Sequence, residues 1–256
     1  MNHLVILIGE PVFWVALVVT LFAGFVKGVA GFAMPLIMIS SFSAFLPPEQ
    51  ALAGLILPTL VTNVSQATRQ GVGAAWGSVK LYRRFLVATL VMIAISAQFV
   101  AVIPQGLFLL LLGMPITAYA LAQLTGRNLA LKLEHRGRAE WVLGAIGGLY
   151  GGVSGVWGPP LIVYLLSVGA DKTETVRVQG VVFFLGALVL LSAHLHTGLM
   201  AGANLWFSLA LVLPAMIGQA FGQRLQDHMD QARFRLWTQG LLVLTGINLV
   251  WRALSV

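Results

Sequence analysis

The sequence contains no cysteine and very little charge. The absence of cysteine excludes disulfide bonds, thiol chemistry and cysteine metal ligands. Only 9% of its 256 residues are charged and 59% are hydrophobic, whereas a soluble domain carries about 25% charged residues. So few charged side chains cannot cover so much apolar surface in water. The composition therefore predicts an all-α polytopic membrane protein.

Acidic residues and catalytic motifs are scarce as well. The chain has eight aspartates and glutamates, and all of them lie outside the long apolar runs or near their ends. A relay of intramembrane carboxylates for protons is therefore not predicted. The sequence also contains no H-E-x-x-H, no G-x-S-x-G and no G-x-x-x-x-G-K-[ST] motif. We expect no enzymatic activity, no metal and no cofactor.

The net charge of +7 comes from basic residues in short segments between the apolar runs. Basic loops orient a membrane protein, so we expect the chain to contact a lipid bilayer and not nucleic acid. Eight apolar runs are long enough to be candidate spans. They cover residues 11–45, 50–68, 84–103, 106–125, 141–168, 175–195, 203–222 and 236–254.

The two halves of the chain resemble each other. With a shift of 124 residues, GFVKGVAGFAMPLIMI (24–39) aligns with GLYGGVSGVWGPPLIV (148–163), and Pro35 falls on Pro159. A polar, basic linker lies between the halves. We therefore predict a single membrane domain with one repeat in residues 1–125, a linker in 126–140 and a second repeat in 141–256.

The distribution of charge predicts that the repeats are inverted. If the first and fifth apolar segments enter and leave the membrane on the same side, three full crossings follow each of them, and all thirteen loop cations then lie on one face. The positive-inside rule makes that face, including linker 126–140, cytoplasmic in a bacterial-type inner membrane. Each hairpin arm would have about 15 residues, or about 22 Å of helix, which is too short to cross the hydrocarbon core.

The two glycine-proline turns predict a binding site at the middle of the membrane. Proline suits the first turn of a helix, so Pro35 and the Pro159–Pro160 pair indicate the starts of two half-helices. The N-terminus of a helix carries free N–H donors and partial positive charge, and two that converge would bind an anion. Lys27 would add a full charge. The turn glycines named as candidate substrate-binding residues are Gly28, Gly31, Gly152 and Gly155, although glycines at helical spacing also allow close helix packing.

Further candidates follow from polar residues near these turns. Ser154 could donate to an anion and Trp157 could line or gate the cavity. Arg177 could bind the substrate, or it could anchor a helix end and pair with Glu174. Three amide side chains could line a path, although hydrogen bonds between helices are the commoner reason for such residues. They are Gln98, Gln219 and Asn63.

The glycine-rich segments GFVKGVAGFAMPLI and GGLYGGVSGVWGPPLIVYLL, the length and the two-half layout resemble the TauE/SafE family of sulfite exporters, also called the toluene-sulfonate uptake permease family. The resemblance implies a transporter of small sulfur-containing anions such as sulfite, organosulfonates or sulfoacetate. With two inverted repeats of a broken hairpin and three helices, alternating access around the midplane site is the expected mechanism. An anion channel, an uptake permease for an organosulfonate and a scaffold without transport are the alternatives, and a homodimer is possible.

Overall fold

The structure is a computed structural model that describes residues 11–42, 44–96, 136–154, 157–196 and 198–255, with scattered positions between 106 and 125. These residues form helices and contain no strand, which confirms the predicted all-α class. The described helices are α1 (Pro11–Ala30), α2 (Met34–Phe42), α3 (Pro48–Thr68), α4 (Val72–Leu81), α5 (Arg83–Ser96), α6 (Arg136–Ser154), α7 (Gly158–Ser167), α8 (Lys172–His196), α9 (Gly202–Asp227) and α10 (Gln231–Leu254).

Four segments of the described helices are long and apolar enough to cross a membrane. Most of their large side chains on the outer surface are apolar, as lipid contact requires, whereas polar side chains such as Gln66 and Gln179 are buried inside. The predicted polytopic class is therefore confirmed. The four segments are Pro11–Ala30, Gln50–Thr68, Lys172–Ser192 and Gly202–Asp227.

The two broken hairpins have unequal arms, so the expected arms of about 15 residues each are wrong. α1 has 20 residues and α2 has 9, while α6 has 19 and α7 has 10. The first break falls late because the chain leaves the helix only near Gly31, whose φ is 84°, and Ala33, whose φ is 75°. Gly28 and Gly152 lie inside helices and not at the turns.

Each broken hairpin packs on a helix of the other half of the chain. α1 lies against α9, and α6 lies against α5. Glycines permit these close approaches: a Cβ atom on Gly28 would strike the carbonyl oxygen of Gln219, and one on Gly144 would lie 2.6 Å from the carbonyl oxygen of Phe85. α3 and α8 also pack together, one from each half. The hairpin of each half thus packs on a helix of the other half, as two related halves would. The inverted orientation of the halves remains a prediction.

Polar contacts join helix ends from both halves on one face. Arg69, just after α3, pairs with Asp227 at 2.5 Å. Lys172 Nζ donates to the carbonyl oxygen of Met229 at 2.6 Å, and Arg177 Nε donates to Ser78 Oγ at 2.8 Å. These contacts bring the start of α8 close to α4 and to the end of α9, and the end of α3 close to the end of α9. That this face is cytoplasmic stays a prediction.

A small polar cluster fixes the outer ends of the second hairpin. Tyr164 Oη donates to Glu140 Oε1 at 2.7 Å, so the end of α7 lies beside the start of α6. Tyr82 Oη donates to Glu174 Oε1 at 2.8 Å. Burial and this bond raise the pKa of Tyr82, while the hydrogen bond to Tyr164 raises the pKa of Arg136. The Tyr164–Glu140 bond therefore holds the two ends of the second hairpin close together.

Candidate functional site

A cavity lies where the breaks of both hairpins meet α3, α8 and α10. Its empty volume is about 420 Å³, part of which is open to the outside of the protein. We call it the central cavity, and its lining residues are Lys27, Phe32, Ala33, Pro35, Leu36, Thr59, Asn63, Trp157, Gly158, Pro159, Phe183 and Thr245.

The first turns of two helices meet at the central cavity. α2 begins at Met34 and α7 at Gly158, and the cavity is lined by Pro35 from one and Pro159 from the other. The predicted helix starts at these prolines are therefore confirmed. The first N–H groups of a helix have no intrahelical acceptor, and at α7 no side chain caps them. Both helices thus direct partial positive charge towards the same space.

The side chain of Lys27 also lines this cavity, and it carries a full positive charge when it is protonated. It is 1% exposed, and its Nζ donates a hydrogen bond to Oδ1 of Asn63. None of the ion pairs among the described residues includes Lys27. A buried ammonium without a counter-charge is costly. An anion in the central cavity would supply the missing negative charge.

Two lining residues of α3 each have a polar side-chain atom with no hydrogen-bond partner among the described residues. Thr59 Oγ1 and Asn63 Nδ2 are buried and make no hydrogen bond within the described part of the chain. The two residues are four apart in α3, so they lie on one face of the helix, and both line the central cavity. Buried polar groups are normally satisfied. A molecule bound in the central cavity could supply a partner to each.

Aromatic rings form much of the remaining wall. Trp157, at the N-terminus of α7, packs edge-to-face against Phe183 of α8, with ring centroids 6.4 Å apart. Phe32 lies at the first hairpin break and also lines the central cavity. The site thus combines one cation and a few donors with an apolar surface, as small-molecule sites commonly do.

Glutamine side chains donate hydrogen bonds to the backbone carbonyl oxygens at the break after α1. Gln66 Nε2 donates to the carbonyl oxygen of Gly31 at 3.0 Å, and Gln226 Nε2 donates to that of Val29 at 3.0 Å. With its amide nitrogen turned towards the break, Gln179 donates to Gly31 at 3.1 Å and to Ala30 at 3.3 Å. Carbonyl oxygens at a helix end inside the membrane need hydrogen-bond partners from the protein, because the hydrocarbon core contains no water. The irregular backbone beside the cavity is therefore held by side chains of α3, α8 and α9.

The whole-chain comparison gives the family. The family model described as "Sulfite exporter TauE/SafE" matches residues 16–249. The chain belongs to the TauE/SafE family. It is thus a multi-pass membrane protein of a family of sulfite and anion exporters, and the resemblance found in its two glycine-proline segments is confirmed. Neither the curated proteins nor the solved structures include a match.

In this TauE/SafE chain, only some of the expected site residues meet at the central cavity. Lys27, Asn63 and Trp157 line it. Gly28 packs against α9, and Gly31 forms the break with its carbonyl oxygen capped. Gly152 is buried in α6 but is not one of the lining residues. The interpretation of the glycines as packing and turn residues thus has geometric support.

Two polar candidates lie elsewhere. Gln219 Nε2 donates to the carbonyl oxygen of Thr62 at 3.0 Å, which is a helix-to-helix hydrogen bond. Arg177 donates to Ser78 Oγ and Gln70 Oε1, and Glu174 bonds Tyr82 instead of Arg177. Neither candidate lines the central cavity. Gln98 and Gly155 lie outside the described residues, and of Ser154 only its place at the end of α6 is described.

The structure adds lining residues that the sequence predictions missed. Thr59 carried a usable signal, because positions 59, 62, 63 and 66 are all polar and follow helical spacing inside an apolar segment. Thr245 and Phe183 carried none, since a single threonine or phenylalanine in a long apolar helix is ordinary. Their place at the site follows only from how α8 and α10 pack.

Proposed function

We propose that this TauE/SafE protein exports a small sulfur-containing anion, such as sulfite or an organosulfonate, by alternating access around the central cavity. The single observation that carries the proposal is the meeting of Lys27 with the first turns of α2 and α7 at one cavity. One cation and two positive helix ends favour an anion, and the family supplies the class of solute.

The broken hairpins suggest how access alternates. Each hairpin belongs to one half of the chain and packs on a helix of the other half. A shift of one half relative to the other would therefore move the two helix starts that line the central cavity. Transporters with discontinuous helices at the midplane use this kind of motion. The bound anion would then be exposed first to one side and then to the other.

Ligand-induced stabilisation tests the proposal. Purified protein is heated with sulfite, sulfate, thiosulfate, taurine or sulfoacetate, and its unfolding temperature is recorded. A ligand at 100 times its Kd stabilises the folded state by about 2.7 kcal/mol. We expect at least one sulfur-containing anion to raise the unfolding temperature of the wild type.

A matched pair of variants locates the binding. Lys27→Met removes the charge in the central cavity while keeping the length of the buried chain, and it should abolish the stabilisation by the anion. Lys80→Met removes an exposed lysine of α4 and should retain it. If no anion stabilises the wild type, or if Lys27→Met responds as the wild type does, the proposal is wrong.

A further inference from the structure

Asn63 lines the central cavity and also contacts Lys27. Its Oδ1 accepts a hydrogen bond from Lys27 Nζ. An ammonium only donates, so this contact requires the amide oxygen to face the lysine and turns Nδ2 away from it. Nδ2 is buried without a hydrogen-bond partner in the described part of the chain. Asn63 therefore uses one end of its amide on Lys27, and the donor at the other end has no partner among the described residues although Asn63 lines the cavity.

Thr59 extends this arrangement by one helical turn. Its Oγ1 is also buried and without a partner among the described residues, and Thr59 lines the same cavity. Lys27, Asn63 and Thr59 are therefore three residues with donor groups that line one cavity. An anion with two or more oxygen atoms could accept from several of them at once.

The charges of the lining favour an anion. Among the described lining residues Lys27 is the only ionisable one, and the other polar ones are Thr59, Asn63 and Thr245. The first turns of α2 and α7 add partial positive charge at the same cavity. An anion bound there would therefore lie beside Lys27 and the polar side chains of α3.

We infer that Asn63 positions the ammonium of Lys27 and itself donates to the anionic substrate. This rests on the proposed function, because it assigns a role at the same cavity to one more residue. Asn63 then acts as a substrate-binding residue, and not only as a helix-packing residue.

Asn63→Asp is the sharpest test, because aspartate has the shape of asparagine but supplies its own negative charge to Lys27. The binding of methanesulfonate to purified protein is measured by isothermal titration calorimetry. Asn63→Asp should bind methanesulfonate at least about tenfold more weakly than the wild type does. Its unfolding temperature without ligand should be at least that of the wild type, since Lys27 gains a counter-charge.

Two variants control for general damage to the fold. Asn248→Asp makes the same chemical change in α10, where Asn248 accepts a hydrogen bond from Ser40 and does not line the central cavity. It should keep the wild-type Kd for methanesulfonate. Asn63→Ala adds no charge and removes both functions of the amide. It should weaken methanesulfonate binding by about tenfold or more, as expected for the loss of a hydrogen bond to a charged group.

The possible outcomes separate this inference from the proposed function. If the wild type binds none of the anions tested, the proposed function fails. If the wild type binds methanesulfonate and a folded Asn63→Asp binds it equally well, the inference about Asn63 is wrong while the function stands. If Asn63→Asp does not fold, a wild-type Kd for Asn63→Ala overturns the inference.

Discussion

The amide nitrogen of Gln66 donates a hydrogen bond of 3.0 Å to the carbonyl oxygen of Gly31, where α1 ends inside the protein. The same nitrogen donates to the carbonyl oxygen of Val176 at 2.8 Å. One side chain of α3 thus joins the first hairpin break to the start of α8. The break borders the central cavity. The shape of the cavity therefore depends on residues, such as Gln66, that do not line it.

The Gln66 contact predicts a loss of stability when the amide is removed. Gln66→Leu should lower the free energy of unfolding by about 1–3 kcal/mol, because buried carbonyl oxygens lose a donor. Chemical unfolding in detergent, followed by tryptophan fluorescence, measures the change. Gln70→Leu, four residues later, removes exposed hydrogen bonds to Arg177 and to the carbonyl oxygen of Thr173. It should cost only about 0.5–1 kcal/mol, because water can replace partners at the surface. Equal effects of both substitutions would contradict the role of Gln66.

The contact between α1 and α9 predicts that Gly28 tolerates no side chain. Its Cβ position is taken by the carbonyl oxygen of Gln219 and by Gly222, so Gly28→Ala must separate the two helices. Overpacking of this kind typically costs about 1–3 kcal/mol. The measurement is the unfolding temperature of the purified variant.

Gly77→Ala is the matched control for this substitution. Gly77 lies inside α4 and has open space around its Cβ position, and alanine favours a helix over glycine by about 0.5–1 kcal/mol. This variant should be as stable as the wild type or more stable. A Gly28→Ala protein that is as stable as Gly77→Ala would show that α1 and α9 are not in close contact.

A substitution of Arg177 distinguishes an anchoring role of this residue from a role in substrate binding. Its hydrogen bonds to Ser78 and Gln70 tie α8 to α4 and to the end of α3, away from the residues that line the central cavity. Arg177→Gln should therefore lower the unfolding temperature and leave the Kd of the anion unchanged, as measured by calorimetry. A Kd that rises tenfold or more at unchanged stability would instead assign Arg177 to the substrate path.

The absence of cysteine allows the membrane orientation to be measured without background labelling. If the first hairpin returns to the side that it entered, Ala44 faces the outside and Thr173 faces the cytoplasm, and both are exposed. In intact cells, a maleimide that cannot cross membranes should label Ala44→Cys. It should label Thr173→Cys only after permeabilisation. Labelling of both positions from the same side would contradict the inverted arrangement of the repeats.

The sequence predicted the parts of the site that have strong local signals. A lysine in an apolar segment pointed to Lys27, and prolines after glycine-rich stretches pointed to the starts of α2 and α7. Neither signal depends on distant contacts. The exact break points were not predictable, because Gly28 and Gly152 are helical for a tertiary reason: a glycine inside a helix lets another helix approach closely.

The rest of the site depends on packing between distant segments. Thr245 lies more than 200 residues after Lys27, and nothing in the local sequence of α10 brings the two together. Asn63 was expected along a path, but its contact with Lys27 requires the register between α1 and α3. That register is set by the helix contacts of the folded protein, which hydrophobic periodicity does not encode.

The central claim is that an anion binds in the central cavity beside Lys27. The most direct measurement is a crystal structure with 2-bromoethanesulfonate, whose bromine gives an anomalous signal. We predict a bromine peak in the central cavity near Trp157 and Phe183, with the sulfonate within hydrogen-bond distance of Lys27 Nζ. A transported sulfonate whose bromine peak lies elsewhere in the protein would contradict the account.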